Sequence, residues 1–529
     1  MRRVRITDSR GKPLTIVLLT DIELIVTVPY ALLSALAGAA HGIFFRVVRL
    51  PLDPLYVWFS KGNLNLVWFL AFFPLLIAVA SVLTTSQGSF SLLDLAGGLA
   101  VLLIGGTLLG KIITQYFHIE DAHDRVRTVG SVSKRESDGF KKIKDDGRGL
   151  PNDCVRHEHD KMPLYLAWLQ TMLLVPAVVF AVALPSGWLN YALITYIALY
   201  LFVDFERIEH IASHSPRGKL LIGAAAPWWA RVADVLRRYI AWPLFGWYPN
   251  YYFVIHALHH HVENNGPADW QSTIRYDRAS FLGFTKAAFW LGLNAAVPLD
   301  TMSYLIQKRR WKLLRLLLLG VAYYIALLTL VAILDPVLFF ILLGQRVLFG
   351  SATYRFVGVW HAFHDPQHAY DVQAANQNLY HYAHHARPSI HLLDGEGLVR
   401  EAEEIEKPSP LVMLRPEFGF TRGFWFLQAL LWRKEFARAG ECLVEHDTVG
   451  RADKGGPFSL RRDLVERGVG TARMQQLTAS FITFPRSSTL QRFDDWISRK
   501  AGDLMYQMNS PRRPKGVAER TGAARESRS

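Results

Sequence analysis

Histidine carries most of the potential chemistry in this sequence, with 19 copies that fall mainly into short clusters. His210 and His214 form an HxxxH pair within Glu209-His210-Ile211-Ala212-Ser213-His214. The run His256-Ala257-Leu258-His259-His260-His261 contains HxxHH at positions 256, 259 and 260. His381-Tyr382-Ala383-His384-His385 repeats that pattern. His361, His364 and His368 lie between these elements, His391 follows them, and His118 and His123 stand far upstream. On a helix, residues at i, i+3 and i+4 share a face. HxxxH therefore offers two imidazoles to one metal, and HxxHH offers three, enough to serve two adjacent metals. Imidazole suits iron, zinc and copper. Isolated histidines such as His41 and His446 read as ordinary surface or core residues. Cys154, His157 and His159, in a polar loop, read the same way.

The elements that must position these boxes are apolar. The chain has 529 residues, of which 51% are hydrophobic and only 20% charged, an unusual balance for several water-soluble domains. Disorder, collagen-like repeats and coiled coil are excluded for most of the chain. Two cysteines, Cys154 and Cys442, build neither a disulfide framework nor an iron–sulfur site. The net charge of +14, in so apolar a chain, points to an anionic membrane surface and not to nucleic acid.

A bilayer crossing needs ~20 apolar residues. Leu66–Leu83, Leu92–Gly110, Leu164–Leu184 and Trp188–Val203 qualify, the last two joined by Pro185-Ser186-Gly187 as a tight hairpin. Leu14–Val48 is long enough to enter the membrane as one tilted helix or as a hairpin. Leu313–Leu343 is too long for one crossing, and Asp335-Pro336 is its natural break, because proline removes a helical donor. Basic loops mark the cytoplasmic side. Arg125–Lys161, with ten Lys/Arg, and the Lys308–Lys312 cluster place the histidine boxes on that side. Two crossings after Leu313 satisfy this topology and put Arg346 within the second, which requires it to face protein or water. The alternative crosses once near Phe281–Ala296 and once near Leu313–Leu334.

The expected architecture is an all-α integral membrane protein, a multi-span helical bundle with a cytoplasmic histidine-rich helical cap. Residues 1–161 hold N-terminal spans and the basic loop, 162–393 the catalytic membrane domain, 394–508 a membrane-associated cytoplasmic region, and 509–529 a basic disordered tail. Within the third region, Leu411–Trp432 mixes aromatic and basic residues and reads as lying on the membrane surface.

The order HxxxH (210, 214), HxxHH (256, 259, 260) and HxxHH (381, 384, 385) resembles the three histidine boxes of the membrane fatty acid desaturase and hydroxylase superfamily. His384-His385-Ala386-Arg387-Pro388-Ser389 is similar to the family's third box, and His259–Asp269 also resembles alkane monooxygenases, where a paired histidine precedes a proline–acid segment. The resemblance implies that His210, His214, His256, His259, His260, His381, His384 and His385 are catalytic and hold two non-haem irons. It also implies an extra ligand near His361 or His364, with His368 a further candidate. His118 and His123 compete with 210 and 214 for the first box. Glu209, Asp269 and Asp365 are candidates to orient imidazoles.

The activity so implied is removal of hydrogen from an unactivated C–H bond of a fatty acyl or lipid chain, using dioxygen. A fatty acid desaturase is the leading expectation, and an alkane or acyl hydroxylase the alternative. No CxxC pair or GxGxxG element accompanies the boxes, so electrons come from an external donor: a ferredoxin, a rubredoxin, or a cytochrome with its reductase. The expected location is a membrane, the bacterial inner membrane, with the site on its cytoplasmic side. A membrane haem carrier would place histidines deep within facing spans, and a metal transporter would line a path with intramembrane acids. The clusters here lie outside the spans, and Asp94 and Arg346 are too few to line such a path.

Overall fold

The computed structural model describes residues 2–20, 26–30, 209–214, 228–344, 346, 370–374, 385, 388, 411–414, 420–446, 467–468, 470–478 and 487–509. The four spans expected between Leu66 and Val203 lie outside them, as does the basic loop 125–161.

Helix dominates the described residues, but the chain is not all-α. Strands β1 (Arg2–Thr7) and β2 (Pro13–Leu18) pair antiparallel from Arg2↔Leu18 to Thr7↔Pro13. Leu14, Ile16 and Leu18 are buried while Thr15 and Val17 are half-exposed, the period of two that a one-sided strand requires. The start of the apolar run read as membrane-entering is therefore a strand. Its turn is closed by Asp8, whose Oδ1 accepts from the backbone N–H of Arg10 and Lys12 at 2.9 and 2.7 Å. A second sheet has the order β3 (Tyr370–Ala374), β4 (Leu411–Leu414), β5 (Leu443–His446) and β6 (Arg467–Gly468). The β3–β4 pair is parallel and the others antiparallel. Beta pairing here joins segments far apart in sequence, which helical periodicity does not reveal.

Helix α1 runs Trp228–Leu236 and continues through a π-helical stretch Arg237–Ala241 into Trp242–Leu244. Helix α2 is π-helical over Phe253–His260 and ends as His261–Glu263. Then come α3 (Phe281–Ala296), α4 (Leu299–Gln307) and α5 (Trp311–Leu334). Trp242, Phe245, Tyr248, Tyr251 and Trp270 are fully buried and form the aromatic centre between them. The hairpin is tied to α4, with Thr15 N–H donating to Gln307 Oε1 at 2.7 Å.

Among the described residues, α5 is the one helix long and apolar enough to cross a membrane, with 24 residues. Most of its apolar surface is not covered by protein, and Leu319, Ile325 and Ile333 are exposed. It ends at Asp335, in extended conformation, and helix resumes over 336–344, so the break falls at the expected proline. Asp335 Oδ1 accepts from the N–H of Val337 and Leu338 at 3.0 Å each, capping the new start. Arg346 is buried against protein. It donates to the carbonyls of Gly246, Ala295 and Ala296 and lies over the rings of Trp247, Tyr248 and Tyr251.

Gly320 brings α5 against the chain at Pro249, where a Cβ would overlap the Pro249 carbonyl oxygen. Backbone cannot yield as a side-chain tip can. Gly320→Ala is expected to cost about 1–3 kcal/mol through this overpacking, read as a lower melting temperature in detergent.

The C-terminal helices are α6 (Phe420–Trp432), α7 (Phe436–Glu441), α8 (Thr471–Thr478) and α9 (Ser488–Asn509). Phe426, Leu427, Leu430 and Leu431 of α6 are buried, so the C-terminal end of the segment expected on the membrane surface packs within the protein instead. Its cover is α9, where Phe426 meets Tyr506 at 5.3 Å between ring centroids. The same helices reach the start of α3. Gln428 donates to Arg278 O at 2.8 Å and Lys434 to Ala279 O at 2.6 Å. In space, the third and second sequence regions are continuous.

Candidate metal centre

The centre is built from the helical residues 209–213, from α2, and from His385. Glu209 and His210 are buried. Glu209 Oε1 accepts from Arg237 Nη1 at 2.7 Å, and Asp234 accepts from the same guanidinium at 2.8 Å. Arg237 is completely buried and lies over Trp242 at 4.7 Å. The described partner of Glu209, read as a candidate to orient an imidazole, is the Arg237 guanidinium. Glu209 locks the segment carrying His210 to α1 through an ion pair sheltered from water.

Helix α2 departs from the α geometry that HxxHH presumes. The N–H of His261 bonds to the carbonyl of His256, closing a π turn. On an α-helix, residues five apart point about 140° away from each other. The wider π turn brings His256 and His261 onto one side, with their Nε2 atoms 3.1 Å apart. His210 and His214 meet them from the other helix, at centroid distances of 4.4 Å for His210–His256 and 4.6 Å for His214–His261. One ligand nitrogen from each of His210, His214, His256 and His261 lies within 4.8 Å of the others. Nitrogen ligands at about 2.0–2.1 Å from an ion stand up to about 4.2 Å apart. A small rotation of one ring closes the remaining gap, so the donor set fits a metal.

His261, absent from the expected ligand set, thus joins the group, while His259 leaves it. His259 Nδ1 lies 2.9 Å from Thr301 Oγ1, its Nε2 lies 3.0 Å from the Ala268 carbonyl, and its ring stacks on Tyr304 at 4.1 Å. Both nitrogens are engaged by protein. Burial lowers its pKa to about 4, so the ring is neutral. The triplet at 259–261 was the available signal: it offers HxxxHH at 256, 260 and 261 as readily as HxxHH.

His260 is fully buried, and its Nδ1 lies 2.6 Å from Asp269 Oδ2. An ionised carboxylate only accepts, so Nδ1 is the donor and Nε2 keeps the lone pair. Asp269 is fixed in turn by the N–H of Asn265 at 2.8 Å and of Gln271 at 2.9 Å. Burial pushes the Asp269 carboxyl up, but His260, with His259 and the Gln271 N–H, outweighs it and holds the group below its ordinary value. Asn264 and Asn265, both with positive φ, end the helix and turn the chain back so that Asp269 reaches His260. Asp269→Asn must present an amide N–H to one of these donors. It is expected to weaken metal binding about 10–100-fold with the helical content unchanged, measured by chelator competition and circular dichroism.

His385 arrives from 121 residues away, its Nδ1 3.1 Å from Asn264 Oδ1. Its ring stacks on His261 at 4.3 Å and meets His260 edge-on at 4.8 Å. One residue of the third box therefore stands beside the second. Six imidazoles, those of residues 210, 214, 256, 260, 261 and 385, form one continuous array, buried except at His214, which is half-buried. The pKa of His256 is well below its ordinary value through burial and the surrounding histidines, which keeps its lone pair available. Tyr252 stacks on its ring at 4.9 Å. His361, His364, His368, His381, His384 and Asp365, like His118 and His123, lie outside the described residues.

Comparison with protein-family models, with curated proteins and with solved structures found no match.

Proposed function

We propose that this chain is a membrane-bound, dioxygen-dependent non-haem di-iron oxidoreductase acting on an unactivated C–H bond of a fatty acyl or lipid chain, as a desaturase. The observation that carries this reading is the convergence of histidines from the first two sequence boxes, and of His385 from the third, into one largely buried imidazole array. His210, His214, His256 and His261 would hold one iron. His260 and His385, with His381 and His384 supplied by the resemblance, would hold the second. When bound, iron supplies the means to activate dioxygen with electrons from an external carrier.

The protein's own groups account for the rest. Neutral imidazoles are the required ligand form, and burial holds His256 in it. Asp269 fixes the tautomer of His260, and Arg237 with Glu209 fixes the segment bearing His210. Tyr252 stacks on the His256 ring at 4.9 Å, and the fully buried Trp270 donates to the Ile255 carbonyl, next to His256 in the chain. Desaturation takes two hydrogens from the chain and, with two electrons and two protons from the carrier, reduces dioxygen to two waters. Hydroxylation with the same inputs leaves one oxygen on the chain and forms one water.

The purified protein is expected to carry about two irons per chain and no Soret band. Mass spectrometry of host lipids after expression decides the reaction. A loss of two hydrogens supports a desaturase, and a gain of oxygen a hydroxylase. Stoichiometric zinc without iron, or an unchanged lipid profile from iron-loaded protein supplied with reductant, overturns the proposal.

A further inference from the structure

Helix α9 has two differently used faces. On one, Asp494, Ser498 and Gly502 are buried. Asp494 accepts from Ser280 Oγ at 2.6 Å and Leu282 N at 3.2 Å, and Ser498 Oγ accepts from Phe281 N at 2.8 Å. This face therefore caps the start of α3, two hundred residues earlier in the chain. Gly502 lies against α6, where a Cβ would stand 3.0 Å from the Ala429 carbonyl oxygen.

The opposite face is apolar and uncovered. Phe493, Trp496, Leu504 and Met508 are 45%, 56%, 58% and 67% exposed, too open for a packed core helix. Their spacing places them along one stripe. Leu490 and Ile497, half-exposed, extend it. Lys500 stands within the stripe and Arg492 and Arg499 border it, all exposed. Of the nearby acids, Asp503 is paired with Arg433 at 2.6 Å and Asp494 is turned inward. The sequence beyond Asn509 adds six Lys/Arg against two Glu.

We propose that this face of α9 lies in the headgroup layer of an anionic bilayer. A stripe of Trp, Phe and Leu with basic side chains at its border matches an interfacial helix, whose apolar side enters the acyl boundary while its cations meet lipid phosphates. Lys500, inside the stripe, reaches the headgroups by extending its stem. The charge is complementary to anionic lipid. The buried face remains available to transmit that contact to the α3 start. This inference rests on the chain being at a membrane and is independent of the chemistry at the histidine array.

The test uses the full chain in lipid nanodiscs, with Cys154→Ser and Cys442→Ala as background. Single cysteines replace Trp496, Leu504, Asp495 or Ile325 and carry a nitroxide. Collision with oxygen, which concentrates in lipid, is compared with collision with a water-soluble nickel chelate. In discs containing phosphatidylglycerol, labels at 496 and 504 are expected to favour oxygen several-fold over the label at 495, approaching the label at 325. In phosphatidylcholine alone that preference is expected to fall. Aqueous behaviour at 496 and 504 while 325 stays in lipid overturns the proposal. So does shielding from both reagents, which would mean a protein partner or a second copy, and so does equal immersion without anionic lipid. A label at 325 that is itself in water overturns the membrane reading on which the proposal depends.

Discussion

His256→Ala is expected to strip the centre of metal and to lower product formation by more than about 100-fold, beyond the range typical of residues that merely support a ligand. The reason is its central position. Its ring is the one that meets His210, His214, His260 and His261, at centroid distances of 4.4, 5.3, 5.2 and 4.6 Å. Removing it takes away the ring that links His210 on one helix to His260 and His261 on the other. The cost to folding is modest by comparison, because a buried imidazole is itself expensive to desolvate and its Nδ1 has no hydrogen-bond partner among the described residues. Metal analysis of the monodisperse fraction after gel filtration checks the result. Wild-type stoichiometry in the folded variant would remove His256 from the centre.

His261→Ala and His259→Ala are expected to fail in opposite ways, although the residues are two apart. His261→Ala should lose metal as His256→Ala does, since its Nε2 lies 3.1 Å from that of His256. His259→Ala should keep metal in whatever fraction folds, but lose about 2–5 kcal/mol of stability. That loss combines a cavity beside Tyr304 with stranded partners at Thr301 and Ala268. Thermal unfolding and metal content, measured on the same preparations, separate the two effects. His259→Gln, which can restore one of the two hydrogen bonds, should recover part of the stability. A stable, metal-free His259→Ala would return that residue to the ligand set.

The break at Asp335-Pro336 was legible in the sequence because proline acts locally, through its own missing donor. The need for Arg346 to face protein or water was also legible, because a cation among apolar residues must find acceptors. Its particular acceptors, the carbonyls of Gly246, Ala295 and Ala296, were not, since they come from distant turns. The strand at Pro13–Leu18 was hidden by its own apolarity. Leu14, Ile16 and Leu18 alternate with Thr15 and Val17, yet the run continues into further apolar residues and resembles the start of a membrane helix. The mixture of aromatic and basic residues over Leu411–Trp432 points to the membrane surface, but apolar residues do not say whether lipid or another helix covers them. Here α9 covers those of α6, and α9 presents the open face instead.

The sequence by itself determined the chemistry available: many imidazoles, spaced so that helices can present them in groups, beside carboxylates able to fix their tautomers. Side-chain type and near-neighbour spacing are local properties, and they survive any rearrangement of the fold. Only the tertiary structure decided which imidazoles meet. The π turn at His256–His261 exchanges His259 for His261. The left-handed pair Asn264 and Asn265 folds Asp269 back onto His260. Chain closure over 121 residues then seats His385 beside them. Each of these depends on packing between segments remote in sequence, where a shift of one residue in helical phase changes which nitrogen faces the centre.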